Sequence, residues 1–398
     1  MCSAWTTRAF LLAGALAGLV RPALAQTPPS RPQFEWPKLF RLASAAIRLT
    51  LLSKPDLRIG SADGPDHTLF NGIAGAVRLS QGDIALGDAG NRRVLFFDAR
   101  GGFRRSVGRV GDGPGEFRQP RWFGRCSDGS LAFHDGAHAR LTYFSPDGEI
   151  RGFESLPVGA NFDQILWCSG AKLLFIFLNR PRGPVQPGEY LQIPTVLVRA
   201  EGPAIDTILK SGIREFYIGK TVSALSAVPL GRATEAIAGR GIMYVCSNWE
   251  GSCDVIDTTG RRLRVFELHL PRRRVGPAEW TKAIADHFKA EPARGVRISG
   301  AKLMKEIRPK EEFPAFDQIR SDVEGNLWVR TFDNYLTTVA TWVAFTPLGT
   351  PFAMIAVPRA FQILEIGRDY IVGFERDQED VEFLEVRLFP QLRRPLSF

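Results

Sequence analysis

The chain has 398 residues, a formal net charge of +9, 44% hydrophobic and 23% charged residues. This is ordinary globular composition, enough for one large repeat domain or two to three smaller ones. Lys and Arg are dispersed, with Arg272-Arg273-Arg274 the only tight run, and nothing after residue 25 is apolar enough to span a bilayer. Neither a nucleic-acid partner nor a transmembrane segment in the mature chain is therefore expected.

Residues 1–25 read as a signal peptide for general secretory export. Arg8 precedes an apolar run at 10–20, and Ala23-Leu24-Ala25 supplies small residues before Gln26. The run is about half the ~20 residues a membrane helix needs. Cleavage would remove Arg8 and Arg21, leaving 49 basic against 42 acidic residues, or +7. The expected location is periplasmic or extracellular. Residues 26–45, rich in Pro and Arg, read as an N-terminal tail. Residues 46–59 hold strand-like apolar residues followed by Gly60 and Asp63-Gly64-Pro65, as at the end of a repeat whose earlier strands are missing.

The first full repeat supplies the ruler. Strands are expected at 73–79, 83–88, 93–98 and 103–107, with turns at Ser80-Gln81-Gly82 and 99–102. Residues 79–103 shifted by 47 positions lie without a gap on 126–150, with seven identities that include Gly82/Gly129, Asp88/Asp135, Arg93/Arg140 and Gly101/Gly148. Such a period points to a propeller or solenoid. A second unit runs over about 121–157. A third starts at 164–167, continues through 172–178 and resumes at 195–199 after a long loop at 179–194. A fourth has strands at 235–238, 242–245, 254–257 and 263–270, and its span 241–260 matches 82–101 without a gap. Residues 277–289 then break the rhythm: Pro277 opens a helix, and Trp280, Ile284 and Phe288 follow at helical spacing. This insertion, 271–314, leads into a fifth unit with strands at 316–320, 326–330, 341–345 and 351–357. The sixth has only three strands, at 361–366, 370–374 and 381–389.

The spare N-terminal strand completes that last unit and closes the ring, which removes exposed sheet edges. The expected fold is all-β: a six-bladed β-propeller over 46–398 with four-stranded antiparallel blades and a short helical insertion between blades four and five.

Cys246 and Cys253 flank a short loop, and an oxidising compartment permits a bridge between them. Cys126 and Cys168 occupy the same place in successive repeats, 42 residues apart, so a bond there depends on their radius from the axis. Free buried thiols are the alternative in both cases. There is no C-x-x-C framework for zinc.

Gly108-Arg109-Val110-Gly111-Asp112-Gly113-Pro114-Gly115-Glu116-Phe117, Asp88-Ala89-Gly90-Asn91-Arg92-Arg93-Val94 and Glu324-Gly325-Asn326-Leu327-Trp328-Val329 resemble the NHL-repeat-type six-bladed propellers of many exported bacterial proteins. The resemblance covers nearly all of the mature chain. It implies the fold, in a family whose members include protein- and glycan-binding modules; the even repeat, the loop asymmetry and the lack of a convergent catalytic set point to a non-catalytic binding module for a protein or glycan, without cofactor. It also leaves an alternative: a lactonase-like or amidating-lyase-like enzyme with a divalent ion, Ca or Zn, in the central channel. That alternative needs several axial His residues, or axial Glu, Asn and Asp for which Glu235, Asn248 and Asp333 are available. The Gly108–Gly115 loop lacks the following helix a phosphate cradle needs and reads as a connection between blades. Asp88 and Asp135 read as acceptors for adjoining loops.

In a propeller blade the first and third turns lie on one face, and the middle loop and the inter-blade connection on the other. Here the first set is tight, and the second holds 179–194, 211–232, 331–340 and the insertion. Long loops on one rim are where binding surfaces are built. The candidate ligand-binding residues there are Asn91, Arg92, His134, His138, Arg182, Asn248, Trp249, Asp333, Asn334, Tyr335 and Arg376, and the expected state is a monomer.

Overall fold

The structure, a computed structural model, describes residues 47–388 except 52–53, 157–161, 171, 180–184, 203, 221–224, 291–304 and 333–334. The segments read from sequence as signal peptide and tail, and the candidates Arg182, Asp333 and Asn334, lie outside the described residues.

Two short strands, β1 (Ile47–Thr50) and β2 (Leu57–Ile59), precede the first complete blade. Blade one holds β3 (Ile73–Arg78), β4 (Ile84–Asp88), β5 (Arg93–Phe97) and β6 (Phe103–Val107). A small parallel ladder of β7 (Arg109–Val110) and β8 (Glu116–Phe117) forms the connection onward. Blade two holds β9 (Pro120–Arg125), β10 (Leu131–Asp135), β11 (Arg140–Phe144) and β12 (Ile150–Ser155). In blade three, β13 (Phe162–Ser169) and β14 (Lys172–Leu178) are followed by β15 (Tyr190–Glu201), β16 (Ala204–Ile218) and β17 (Leu225–Ala227). Blade four holds β18 (Thr234–Ala238), β19 (Ile242–Ser247), β20 (Ser252–Asp257) and β21 (Arg262–Glu267). Helix α1 (Pro277–Ala290) separates it from blade five, which holds β22 (Gln318–Ser321), β23 (Leu327–Arg330), β24 (Val339–Phe345) and β25 (Pro351–Pro358). Blade six holds β26 (Gln362–Ile366), β27 (Tyr370–Arg376) and β28 (Glu382–Leu388).

The first strand of each blade neighbours the first strand of the next, so six inner strands ring a common axis. Burial grades outward from them. All five residues of β4 and of β5 are buried, whereas β6 is exposed along nearly its whole length. The middle strands are covered on both faces by neighbouring blades, which is why they read as continuous apolar runs. The apolar clusters accordingly lie between blades. Val77, Ala85, Val94 and Phe96 of blade one meet Phe123, Leu131, Phe133 and Phe144 of blade two. Each such fully buried large side chain contributes about 1.5–3 kcal/mol. The tight turns need left-handed backbone, and Gly82, Gly101, Gly129, Gly148, Gly260, Gly325 and Gly349 all sit at φ between +84° and +92°. A side chain at Gly349 would also have its Cβ only 2.6 Å from the Phe266 ring.

The ring closes through β2, antiparallel to β28 with Leu57 opposite Val386 and Ile59 opposite Leu384. Ile59, Leu384 and Val386 then pack with Ile73, Ile84, Leu86 and Leu95 of blade one. The N-terminal stretch differs from the single closing strand expected over 46–59. Its first part, β1, adds a parallel fifth strand to the outer edge of blade five, and Leu49 and Leu51 are buried between blades five and six. Pro55, which has no N–H to offer a ladder, separates the two strands. Buried Arg387 ties the crossing down, donating to Leu51 O at 2.9 Å and to Glu385 Oε2 at 2.6 Å.

Two further segments expected as loops are strand in part. β15 and β16 form a long antiparallel ribbon, with Tyr190 opposite Tyr217 at its far end. The loops expected at 179–194 and 211–232 therefore contribute residues 190–194 and 211–218 to that ribbon. Among the described residues no helix is long and apolar enough to cross a membrane.

Candidate functional site

The long segments gather on one face. Helix α1 begins at Pro277, and Glu279 reaches back to accept from the Gly276 N–H at 2.7 Å, as in a capping box. Its Trp280 and Ile284 pack against Tyr217, Val228 and Ile307; the side chain of Phe288 lies outside the described residues. Ala283 meets Phe313, Phe332 and Tyr335, whose rings lie 4.8–5.6 Å apart. The ribbon, the helix and the start of blade five thus form one packed assembly above the sheets.

Most of the candidate residues turn out to hold this face together. Asn91 donates to Leu69 O and Asp88 Oδ2. Arg92, in left-handed backbone at φ 59°, donates to Gly90 O and Arg118 O. Asp88 accepts from the Asn71 N–H and pairs with Arg93, whose guanidinium also reaches Asp66. In blade two, Asp135 accepts from the backbone N–H groups of Arg118, Gln119, Ala137 and His138. Burial opposes its charge, but these donors hold its pKa below the ordinary carboxylate value. The Gly108–Gly115 loop is gripped by Arg140, which donates to the carbonyls of Asp112, Gly113 and Glu116.

The two blade-two histidines part company. His138 sits between Asp112 Oδ1 at 2.7 Å and Asp135 Oδ2 at 3.0 Å, clamping the blade-one exit loop to blade two. His134 is 6% exposed on β10, and burial chiefly pushes its pKa down to about 4. Asn248 is buried, accepting from the Ala233 N–H and donating to Gly231 O. Tyr335 is buried with its hydroxyl 3.1 Å from Asp286, and burial pushes its pKa up. Arg376 pairs with Glu382, which accepts the Ile73 N–H.

Trp249 is the exception. It is half-buried on the loop between β19 and β20, and the guanidinium carbons of Arg232 and Arg272 lie 4.9 and 5.0 Å from its ring centre. Arg232 also lines a cleft of about 290 Å³ between blades three and four, with Thr234, Ser247, Glu250, Ser252 and Asp254. Neither arginine was a sequence candidate. They reach Trp249 from the connections on either side of blade four, a convergence no local spacing reveals.

Acids on or beside the inner strands of blades four and five are matched by arginines. Asp317 accepts both arms of Arg330 at 2.7 Å; burial opposes the Arg330 charge, and this pairing more than restores it. Glu235 pairs with Arg214 at 2.7 Å. Of the lactonase-type set, Glu235 is thus engaged by a guanidinium and Asn248 by backbone. The other three histidines make contacts in other blades. His67 stacks on Phe103, His287 meets Ser226, and His269 lies beside Glu267. Among the described residues no three His, Cys, Asp or Glu side chains converge to hold a metal.

Disulfides join Cys126 to Cys168 and Cys246 to Cys253. The first links adjacent blades at the end of their inner strands, where the Ser127 N–H also donates to Cys168 O at 2.8 Å. The second crosses between register partners of β19 and β20.

Compared by sequence, the chain matches no protein-family model and no curated protein. Among solved structures it is similar to an exported protein from Bacteroides fragilis, at 13% identity and TM-score 0.47 over 86% of this chain and 99% of that one. A member of the DUF4221 family from Bacteroides vulgatus gives 10% identity and TM-score 0.48 over 83% and 96%. A gluconolactonase from Xanthomonas campestris gives 9% identity and TM-score 0.38 over 85% and 99%. No activity or partner is carried over to this chain at these values; its fold stands on the six sheets described above.

Proposed function

We propose that this protein is an exported, non-catalytic binding propeller of the NHL-repeat type, recognising a protein or a carbohydrate through its long-loop face. The observation that carries the reading is Trp249, flanked by Arg232 and Arg272, beside the polar cleft between blades three and four. A large aromatic ring with guanidinium neighbours supplies contact area at low entropic cost, and aromatic and Arg side chains dominate binding hot spots. The hydroxyl and carboxylate groups of Thr234, Ser247, Glu250, Ser252 and Asp254 add the few fixed polar contacts that orient a ligand. The matched acids at the inner strands of blades four and five favour binding over catalysis, since Asp317 and Glu235 are each engaged by an arginine. Export is supported by the N-terminal sequence and accords with two disulfides.

The test is a glycan array and an envelope-protein panel probed with residues 26–398, wild type against Trp249→Ala combined with Arg232→Gln. Binding lost in the double variant supports the reading. Binding unchanged in it would move recognition elsewhere, and a stoichiometric Ca²⁺ or Zn²⁺ retained through dialysis would favour the enzymatic alternative.

A further inference from the structure

The opposite face, where the turns are tight, carries a second cleft. It has a volume of about 530 Å³ and is lined by Arg78, Leu79, Ser80, Gln81, Gly82, Arg125, Val323 and Tyr370. These residues come from blades one, two, five and six, so the cleft lies where inner strands converge at the mouth of the channel.

Its construction centres on Glu365 of β26, whose side chain is 13% exposed. One carboxylate oxygen accepts the Tyr370 hydroxyl at 2.7 Å and the Arg78 N–H at 2.9 Å. The other faces Arg125 at 3.8 Å, and Arg125 donates to Arg78 O at 2.6 Å. These contacts use the backbone of Arg78 and leave its guanidinium aside. That group lies 4.6 Å over the Tyr370 ring and makes no hydrogen bond or ion pair to any described residue. It rests against Gly82, where a Cβ would lie 3.3 Å from Nη2.

A guanidinium carries five N–H donors in a planar fork matched to carboxylate and phosphate oxygens. Leaving such donors half-buried without a hydrogen-bond acceptor is unfavourable, even with the Glu365 charge nearby. Elsewhere the buried guanidinium forks each find an acceptor: Asp88 for Arg93, Asp317 for Arg330, Glu385 for Arg387, and three backbone carbonyls for Arg140. Arg78 departs from that pattern while facing a cleft of the size that takes small molecules.

We propose that this cleft is a binding site for a small organic oxyanion, a carboxylate or a phosphate ester, gripped by the forks of Arg78 and Arg125 on the face opposite the long loops. Glu365 serves as a positioning residue that fixes Tyr370 and Arg125, and Tyr370 holds the Arg78 fork open toward the cleft. The site is independent of recognition at Trp249, so either can fail without the other.

Isothermal titration at low ionic strength with citrate and with glycerol 3-phosphate tests this, using wild type, Arg78→Gln, Arg125→Gln and, as a charge-matched control, Arg151→Gln on the exposed edge of blade two. Saturable binding by wild type and Arg151→Gln, weakened at least ~10-fold in Arg78→Gln, is expected, since hydrogen bonds to charged groups are worth about that much. Response to citrate alone assigns a carboxylate, and to glycerol 3-phosphate alone a phosphate ester. Should Arg78→Gln fail to fold, Arg125→Gln, at a more exposed position, must show the loss. Absence of binding by both anions at 20 mM, or equal weakening in Arg151→Gln, would overturn the proposal.

Discussion

Replacing Asp135 by Ala tests whether the repeated acidic residues hold the fold or wait for a ligand. The Asp135 carboxylate is fully buried and accepts four backbone N–H groups at 2.6–3.3 Å, with the His138 ring at 3.0 Å. Truncation strands these donors. A buried donor left unsatisfied costs about 1–3 kcal/mol, and water can reach some of them, so a total of about 3–5 kcal/mol is expected. The pH dependence has a definite sign. The folded pKa of Asp135 is depressed, so its contribution is fully present above the unfolded value near 3.9 and is lost as pH falls through the lower folded value. Urea denaturation with disulfides intact, at pH 7 and at pH 3, reads both effects. Wild type should lose stability on acidification, and Asp135→Ala should lose less because it has less to lose. A variant within 0.5 kcal/mol of wild type at pH 7 would refute a structural role.

Three other outcomes follow from the same contacts. Cys126→Ala with Cys168→Ala opens a cross-link spanning 42 residues and should cost about 4 kcal/mol by chain entropy. The Cys246–Cys253 pair spans only 7, so its double variant should lose less, and equal losses by thermal denaturation would contradict that account. Arg330→Met leaves Asp317 without its partner and should cost about 3–5 kcal/mol; adding Asp317→Leu should recover much of it, and denaturation of the single and double variants compares them. Gly349→Ala places a side chain at φ +84° against Phe266 and should lower the melting temperature; an unchanged value would mean the turn re-forms differently.

The blades were legible because the repeat is gapless where turns are tight. Shifting 79–103 by 47 positions places β10 on β4, β11 on β5 and β12 on β6. Blade three was legible only in part: segments at 164–167, 172–178 and 195–199 fall within its first three strands, but a ribbon such as Tyr190–Glu201 with Ala204–Ile218 has no counterpart in the ruler. The division of the N-terminal stretch between two blades was hidden for another reason. Leu49 and Leu51 look like any strand residues, and only packing tells which edge they join. On the long-loop face, residue type alone did not say what each side chain touches. His138, Asn248 and Tyr335 carry ligand-like chemistry, yet each spends it on backbone, a carboxylate or a neighbouring loop. Trp249 was visible, but Arg232 and Arg272 meet it only through the connections around blade four. Glu365 and Arg78 lie on inner strands, where a sequence cannot say which side chains turn to the axis.

Both proposed binding faces depend on a closed ring, and the three residues of β2 close it. Deleting residues 41–60 removes β2 from the edge of β28 together with the buried Leu49, Leu51 and Ile59. Losing large aliphatic side chains from a core costs about 2–5 kcal/mol each. Thermal denaturation of the deletion variant should therefore show a melting temperature lower by on the order of 10 °C or more. An unchanged melting temperature would mean that the strand does not close the propeller.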